Sequence, residues 1–167
     1  MKKKAVVSLF ITLNIAPWLA LFALSPKSEL DLYCQVPFNI RIEKQQSVKL
    51  QGAIKTHYYA DRSAISFISG NLVQLQEDGS TEAIWRINRR AEFTWYMNQN
   101  YLHSITHEVH PAFGDNLPHS LAEAYLFPTY KVQHRDYYQL SRLANDDVIV
   151  SVAGMPRLYC HSQTNVG

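Results

Sequence analysis

The run Ala83-Ile84-Trp85-Arg86-Ile87-Asn88-Arg89-Arg90-Ala91-Glu92-Phe93-Thr94-Trp95-Tyr96-Met97 decides the fold class. Every second residue of it (Ala83, Trp85, Ile87, Arg89, Ala91, Phe93, Trp95, Met97) is apolar except Arg89, and the set between is mostly polar. An unbroken period of two describes a β-strand with one face packed and the other wet. Arg89 on the packed face has two readings. It pairs with an acid such as Asp115 at the mouth of a barrel, or it is the cation of an aromatic-lined cavity formed with Trp85, Ile87, Phe93 and Trp95. Such a cavity would meet the acidic end of a small amphipathic ligand.

Working outward, Phe38 to Ile54 alternates in the same way on either side of a turn at Gln45-Gln46, and Ala64 to Gln76 forms a further strand. There Ile65 and Phe67 share one face while Ile68, Gly70 and Leu72 take the other, so Ser69-Gly70 reads as a β-bulge. Glu77-Asp78-Gly79-Ser80 carries hairpin chemistry, with Gly79 suited to positive φ. Strands follow at Tyr101 to Val109, Tyr137 to Leu143, Val148 to Val152 and Arg157 to Cys160, with a turn at Ala144-Asn145-Asp146-Asp147. One short helix is expected from Pro118 to Leu126, halted by Pro128. The expectation is a mainly β fold with one short helix: a small antiparallel β-barrel or closed sheet, lipocalin-like, in a single domain.

The chain has only two cysteines, Cys34 and Cys160, near the two ends of that β-rich region. Outside the cytoplasm such a pair forms one disulfide, and its geometry requires the first and last strands to be neighbours. A sheet whose ends meet is a barrel or a tightly closed sandwich.

Residues 5–25 contain no charge, and Lys2, Lys3 and Lys4 precede them. A stretch of this length crosses a hydrocarbon core of ~30 Å at ~1.5 Å per residue. The positive-inside rule then leaves the first four residues in the cytoplasm and carries residues 26–167 to the other side of the membrane. Ala23-Leu24-Ser25 has the spacing of a signal-peptide cleavage site, so a removed leader is the competing reading. The three lysines also explain the charge. The chain carries 16 Lys+Arg against 14 Asp+Glu, a net +2, and without those three the balance is 13 against 14. The domain offers no basic field for phosphates, which argues against nucleic acid. With 47% hydrophobic and 12% aromatic residues it can build a core, which excludes intrinsic disorder.

His103, His107 and His110 raise the question of a metal. On a strand His103 and His107 point one way and His110 the other, and His107-Glu108-Val109-His110 misses the spacing of helical metalloprotease ligands. They read as surface histidines, and no metal is assigned. Ser104 and Ser120 lack a nucleophile elbow, and the carboxylates form no recognisable pair. Neither catalytic residues nor a cofactor is expected.

Several segments together resemble the FidL-like membrane proteins of enterobacteria and their relatives. They are the N-terminal anchor followed closely by Cys34, Trp85-Arg86-Ile87-Asn88-Arg89 leading into Phe93-Thr94-Trp95-Tyr96, Gly114-Asp115-Asn116-Leu117-Pro118, and Pro156-Arg157-Leu158-Tyr159-Cys160. In layout the chain is also similar to VtrC/ToxS-type periplasmic partners of membrane transcription regulators. The resemblance implies a topology more than a reaction. The expected function is a non-enzymatic binding or sensory partner of another membrane protein, such as a membrane-anchored regulator. The alternative is a periplasmic carrier or sensor of a small amphipathic ligand, a lipid or bile-salt-like molecule.

Overall fold

The computed structural model describes residues 32–160 apart from 45 and 146. The expected cytoplasmic tail (1–4) and anchor (5–25) lie outside the described residues. Among the described residues no helix is long and apolar enough to cross a membrane. Eight strands follow one another: β1 (Leu32–Glu43), β2 (Ser47–Tyr58), β3 (Ser63–Leu75), β4 (Thr81–Asn98), β5 (Tyr101–Pro111), β6 (Arg135–Arg142), β7 (Val148–Val152) and β8 (Met155–Cys160). Each pairs antiparallel with the next, giving one sheet in the order β1 to β8. The sheet curls into a half-barrel. Between β5 and β6 lie α1 (His119–Tyr125) and a 3-10 turn, Pro128–Tyr130. Pro118 precedes α1 as its N-cap, and Phe127-Pro128 turns the chain out of it, because proline cannot continue the hydrogen-bond ladder.

Alternation dictates which residues turn inward. Val48 and Leu50 of β2, Ile68 and Leu72 of β3, and Ile87 and Ala91 of β4 pack with Leu117, Ala122, Tyr125, Leu126 and Tyr130 from the α1 region. A second cluster joins Leu32, Cys34 and Val36 of β1 to Val148, Val150 and Cys160. A third holds Ala64, Phe93, Trp95 and Leu102. The helix thus covers one end of the concave face, and the short strands β6 to β8 cover the other.

The turns follow local chemistry. Gly79 has φ +83° in the β3–β4 hairpin, and Asp78 accepts a hydrogen bond from the Ser80 amide at 2.8 Å. Ala153 and Gly154 both have positive φ (51° and 76°) in the two-residue β7–β8 hairpin. That is the backbone of a type I′ turn, whose twist matches that of its strands.

One expectation is overturned here. No bulge occurs at Ser69-Gly70, because the β2–β3 register runs unbroken through Ala53↔Ser69 and Gly52↔Gly70. Ala64, Ser66, Ile68 and Leu72 face inward in one continuous alternation, while Ile65 and Phe67 face outward, Phe67 with 47% exposure. An apolar residue on the wet face had mimicked a change of phase. The two glycines serve curvature instead. A Cβ on Gly52 would collide with the carbonyl oxygen of Ser69, and one on Gly70 with that of Gln51. The strands fold so closely there that neither position accommodates a side chain, and the Phe38 ring of β1 lies over Gly52.

The real bulge near the middle of the sheet is on β5. Glu92 pairs with Glu108 but Phe93 pairs with Thr106, which leaves His107 as the extra residue. Beyond it the phase of β5 reverses. Val109 packs on the core, and His110 is exposed on the same outer face as His103 and His107. The expectation that His110 points the opposite way is therefore corrected, and the cause is the inserted residue.

Candidate functional site

The disulfide between Cys34 and Cys160 links β1 to β8 with a Cα–Cα distance of 4.9 Å. Among the described residues, hydrogen-bonded ladders run from β1 to β8 and none joins β8 back to β1. The covalent bond, with the Leu32, Val36, Val148 and Val150 side chains around it, holds the two ends of the sheet together.

Arg89 projects from β4 onto Asp115, which belongs to the loop after β5. Its Nε and Nη2 donate to the two carboxylate oxygens at 3.1 and 3.2 Å, and Nη2 also donates to the Leu117 carbonyl at 2.8 Å. Asp115 further accepts from the backbone amides of Asn88 (2.9 Å) and Leu117 (3.2 Å). The pair is nearly closed to solvent, with side-chain exposures of 11% and 3%. A buried carboxylate that accepts four hydrogen bonds, two of them from a bidentate guanidinium, is fully satisfied, so the pair anchors the Pro111-to-Pro118 loop against β4. Of the other four cavity candidates, Trp85 and Ile87 join the core cluster under α1, whereas Phe93 and Trp95 belong to the cluster nearer the chain ends. The Trp95 indole donates to the Ser63 carbonyl at 2.9 Å.

Between these apolar clusters the concave face carries a band of hydroxyls that the sequence reading missed. Ser66 Oγ lies 2.7 Å from both Thr56 Oγ1 and the Tyr130 hydroxyl, and all three residues are buried. Tyr138 donates to Asp136 at 2.7 Å and approaches Thr129 Oγ1 at 3.2 Å, while His134 reaches the other Asp136 oxygen at 3.2 Å. Thr106 donates to the Thr129 carbonyl at 3.0 Å. Burial pushes the phenols of Tyr58, Tyr130 and Tyr138 well above their ordinary range, and the Asp136 carboxylate raises Tyr58 and Tyr138 further. The Ser66 hydroxyl is flanked by neutral hydroxyls, so this geometry ties strands to the 3-10 turn and does not activate a nucleophile. A signal existed in the sequence. Thr56, Ser66, Ser104 and Thr106 all fall on inward positions of strands whose other inward residues are apolar.

The three histidines of β5 sit outside. His103 stacks on Tyr96 at 4.8 Å between ring centroids and 4° between planes, with Tyr137 at 6.1 Å on its other side. His107 bonds Thr94 Oγ1 at 2.8 Å, and His110 pairs with Glu108 at 2.8 Å. Glu92, Glu108 and His110 bring one ligand-type atom each within 4.8 Å of one another, but Glu92 is held by Arg90 at 3.0 Å. Ser104 faces the interior, His107 the exterior, and Ser120 lies exposed at the start of α1, so the structure does not bring these three together. Comparison with protein-family models and with curated proteins finds no match.

Proposed function

We propose that this chain is a single-pass bacterial inner-membrane protein, anchored by residues 5–25, whose periplasmic β domain is a non-enzymatic partner of another membrane protein, such as a membrane-bound transcription regulator. The uncharged leader behind three lysines supports the anchor, and the disulfide suits an oxidising compartment. The observation that carries the binding reading is the state of the concave face. Its apolar side chains are buried against one another, its hydroxyls bond among themselves, and Arg89 is taken up by Asp115. Recognition is then left to the outer surface. The resemblance to FidL-like proteins supports the same layout.

Crosslinking of the full chain in its native membrane, followed by purification under denaturing conditions, tests the reading. Recovery of one membrane-anchored regulator in stoichiometric amount is expected. Repeated recovery of the chain alone, with a bound amphiphile in native mass spectrometry, would replace this reading with that of a ligand carrier in a lipocalin-like barrel.

A further inference from the structure

An even number of antiparallel strands in sequential order puts both chain ends and every second hairpin at one end of the sheet. Here that end contains the start of β1 at Leu32, the close of β8 at Cys160, and the turns 59–62, 99–100 and 143–147. The opposite end carries α1 and the turns at 44–46, 76–80 and 153–154. Exposed tyrosines are divided unequally between them. Among the described residues, the large exposed apolar side chains include four tyrosines: Tyr96 (48%), Tyr101 (47%), Tyr137 (66%) and Tyr159 (43%). Tyr96 and Tyr101 flank the 99–100 turn, Tyr159 precedes Cys160, and Tyr137 stands beside Tyr96 through their shared contact with His103. All four lie toward the end where the chain enters. The exposed apolar side chains of the opposite end, among them Ile84, Phe113 and Met155, include no tyrosine.

Isolated exposed apolar residues need no explanation, but a set of one amphipathic type gathered at one end does. Tyrosine presents an apolar ring and a hydroxyl, the combination enriched where hydrocarbon meets headgroups. The length of the tether selects the occupant. Six residues, 26–31, separate the uncharged stretch from Leu32, and the seven Cα–Cα steps from Ser25 to Leu32, at ~3.6 Å each, reach at most about 25 Å. The tyrosine-bearing end therefore cannot stand far from the membrane that residues 5–25 cross.

We propose that this end of the sheet rests in the headgroup region of the bilayer, with the four tyrosines as its interfacial belt, an inference that depends on the anchor reading above. Charge does not drive the contact. In the sequence of the turns at this end Arg62 and Arg142 stand against Asp61, Asp146 and Asp147, so there is no basic field to draw it to anionic lipid.

The test uses the full chain reconstituted in phosphatidylcholine nanodiscs doped with a lipid that bears a photoreactive diazirine near its headgroup. Peptide mapping after irradiation is expected to find adducts on residues 5–25 and on 96–101, with 96–101 labelled about fivefold more than 112–116 at the far end. Tyr96→Ser with Tyr101→Ser, both at exposed positions, should bring the two segments to equal labelling while the disulfide stays intact. Labelling confined to 5–25, or equal labelling of both ends in the unaltered chain, overturns the docking and leaves the anchor standing. A chain without lipid adducts at 5–25 overturns the anchor and the docking together. Protein adducts instead of lipid adducts at Tyr96 and Tyr101 in native membranes also overturn it, since those rings would then face a protein partner.

Discussion

Replacing both cysteines by serine is the most telling perturbation of the fold. The bond closes a sequence separation of 126 residues, and the chain-entropy relation gives about 5 kcal/mol for a loop of that length at 25 °C. Residual structure in the unfolded chain lowers this, and removing a native disulfide from a small domain typically costs about 2–5 kcal/mol. Four buried apolar side chains, Leu32, Val36, Val148 and Val150, surround the two cysteines, with Tyr58, Tyr138, Leu140 and Leu158 partly buried against them, but no ladder joins β1 to β8 among the described residues. Cys34→Ser with Cys160→Ser should therefore destabilise the domain by about 3–5 kcal/mol. Urea unfolding of the full chain in detergent, followed by tryptophan fluorescence, measures the loss. Amide exchange should show protection falling first at residues 32–36 and 148–160, while β2 to β4 keep theirs. A midpoint corresponding to less than about 0.5 kcal/mol, the size of a neutral surface change, would show that packing alone holds the ends together and would refute the argument.

Three further outcomes are expected. Arg89→Met strands the buried Asp115 carboxylate and should lower stability by about 3–5 kcal/mol, and a loss under ~1 kcal/mol in the same assay would contradict the anchoring role. Gly70→Ala forces a methyl into the Gln51 carbonyl and should cost about 1–3 kcal/mol, whereas an unchanged unfolding midpoint would remove close approach as the reason for glycine there. Tyr58, Tyr130 and Tyr138 have folded-state values raised above the ordinary 10.0, so the folded domain holds these protons more tightly than the unfolded chain. Their contribution is whole below pH 10 and is lost as pH climbs past it. In an absorbance titration of the ten tyrosines, these three should ionise only as the domain unfolds, and their ionisation along with the others would contradict the burial.

Strand positions were legible because inward and outward residues alternate over long runs. β7 was expected at Val148 to Val152 and lies there, and β4 extends only slightly beyond Ala83 to Met97. β1 was the least legible, since Gln35, Pro37 and Asn39 between its inward residues masked a strand that begins at Leu32. The acid that pairs with Arg89 was readable as one of two alternatives, because a charge on a packed face demands a partner. The hydroxyl band was not read. Serine and threonine are common on strands, and only the register that sets Thr56 opposite Ser66, with Tyr130 arriving from a distant turn, turns them into a network.

The sequence by itself determined the period of most strands, the turn chemistry and the pairing of the two cysteines, because these depend on neighbours along the chain or on there being only two thiols. Tertiary structure decided the direction of His110, the purpose of Gly52 and Gly70, the use of Arg89 and the gathering of tyrosines at one end. Each of those depends on which residue lies across a ladder or at the same end of the sheet, a relation of position in space that spacing along the chain does not encode.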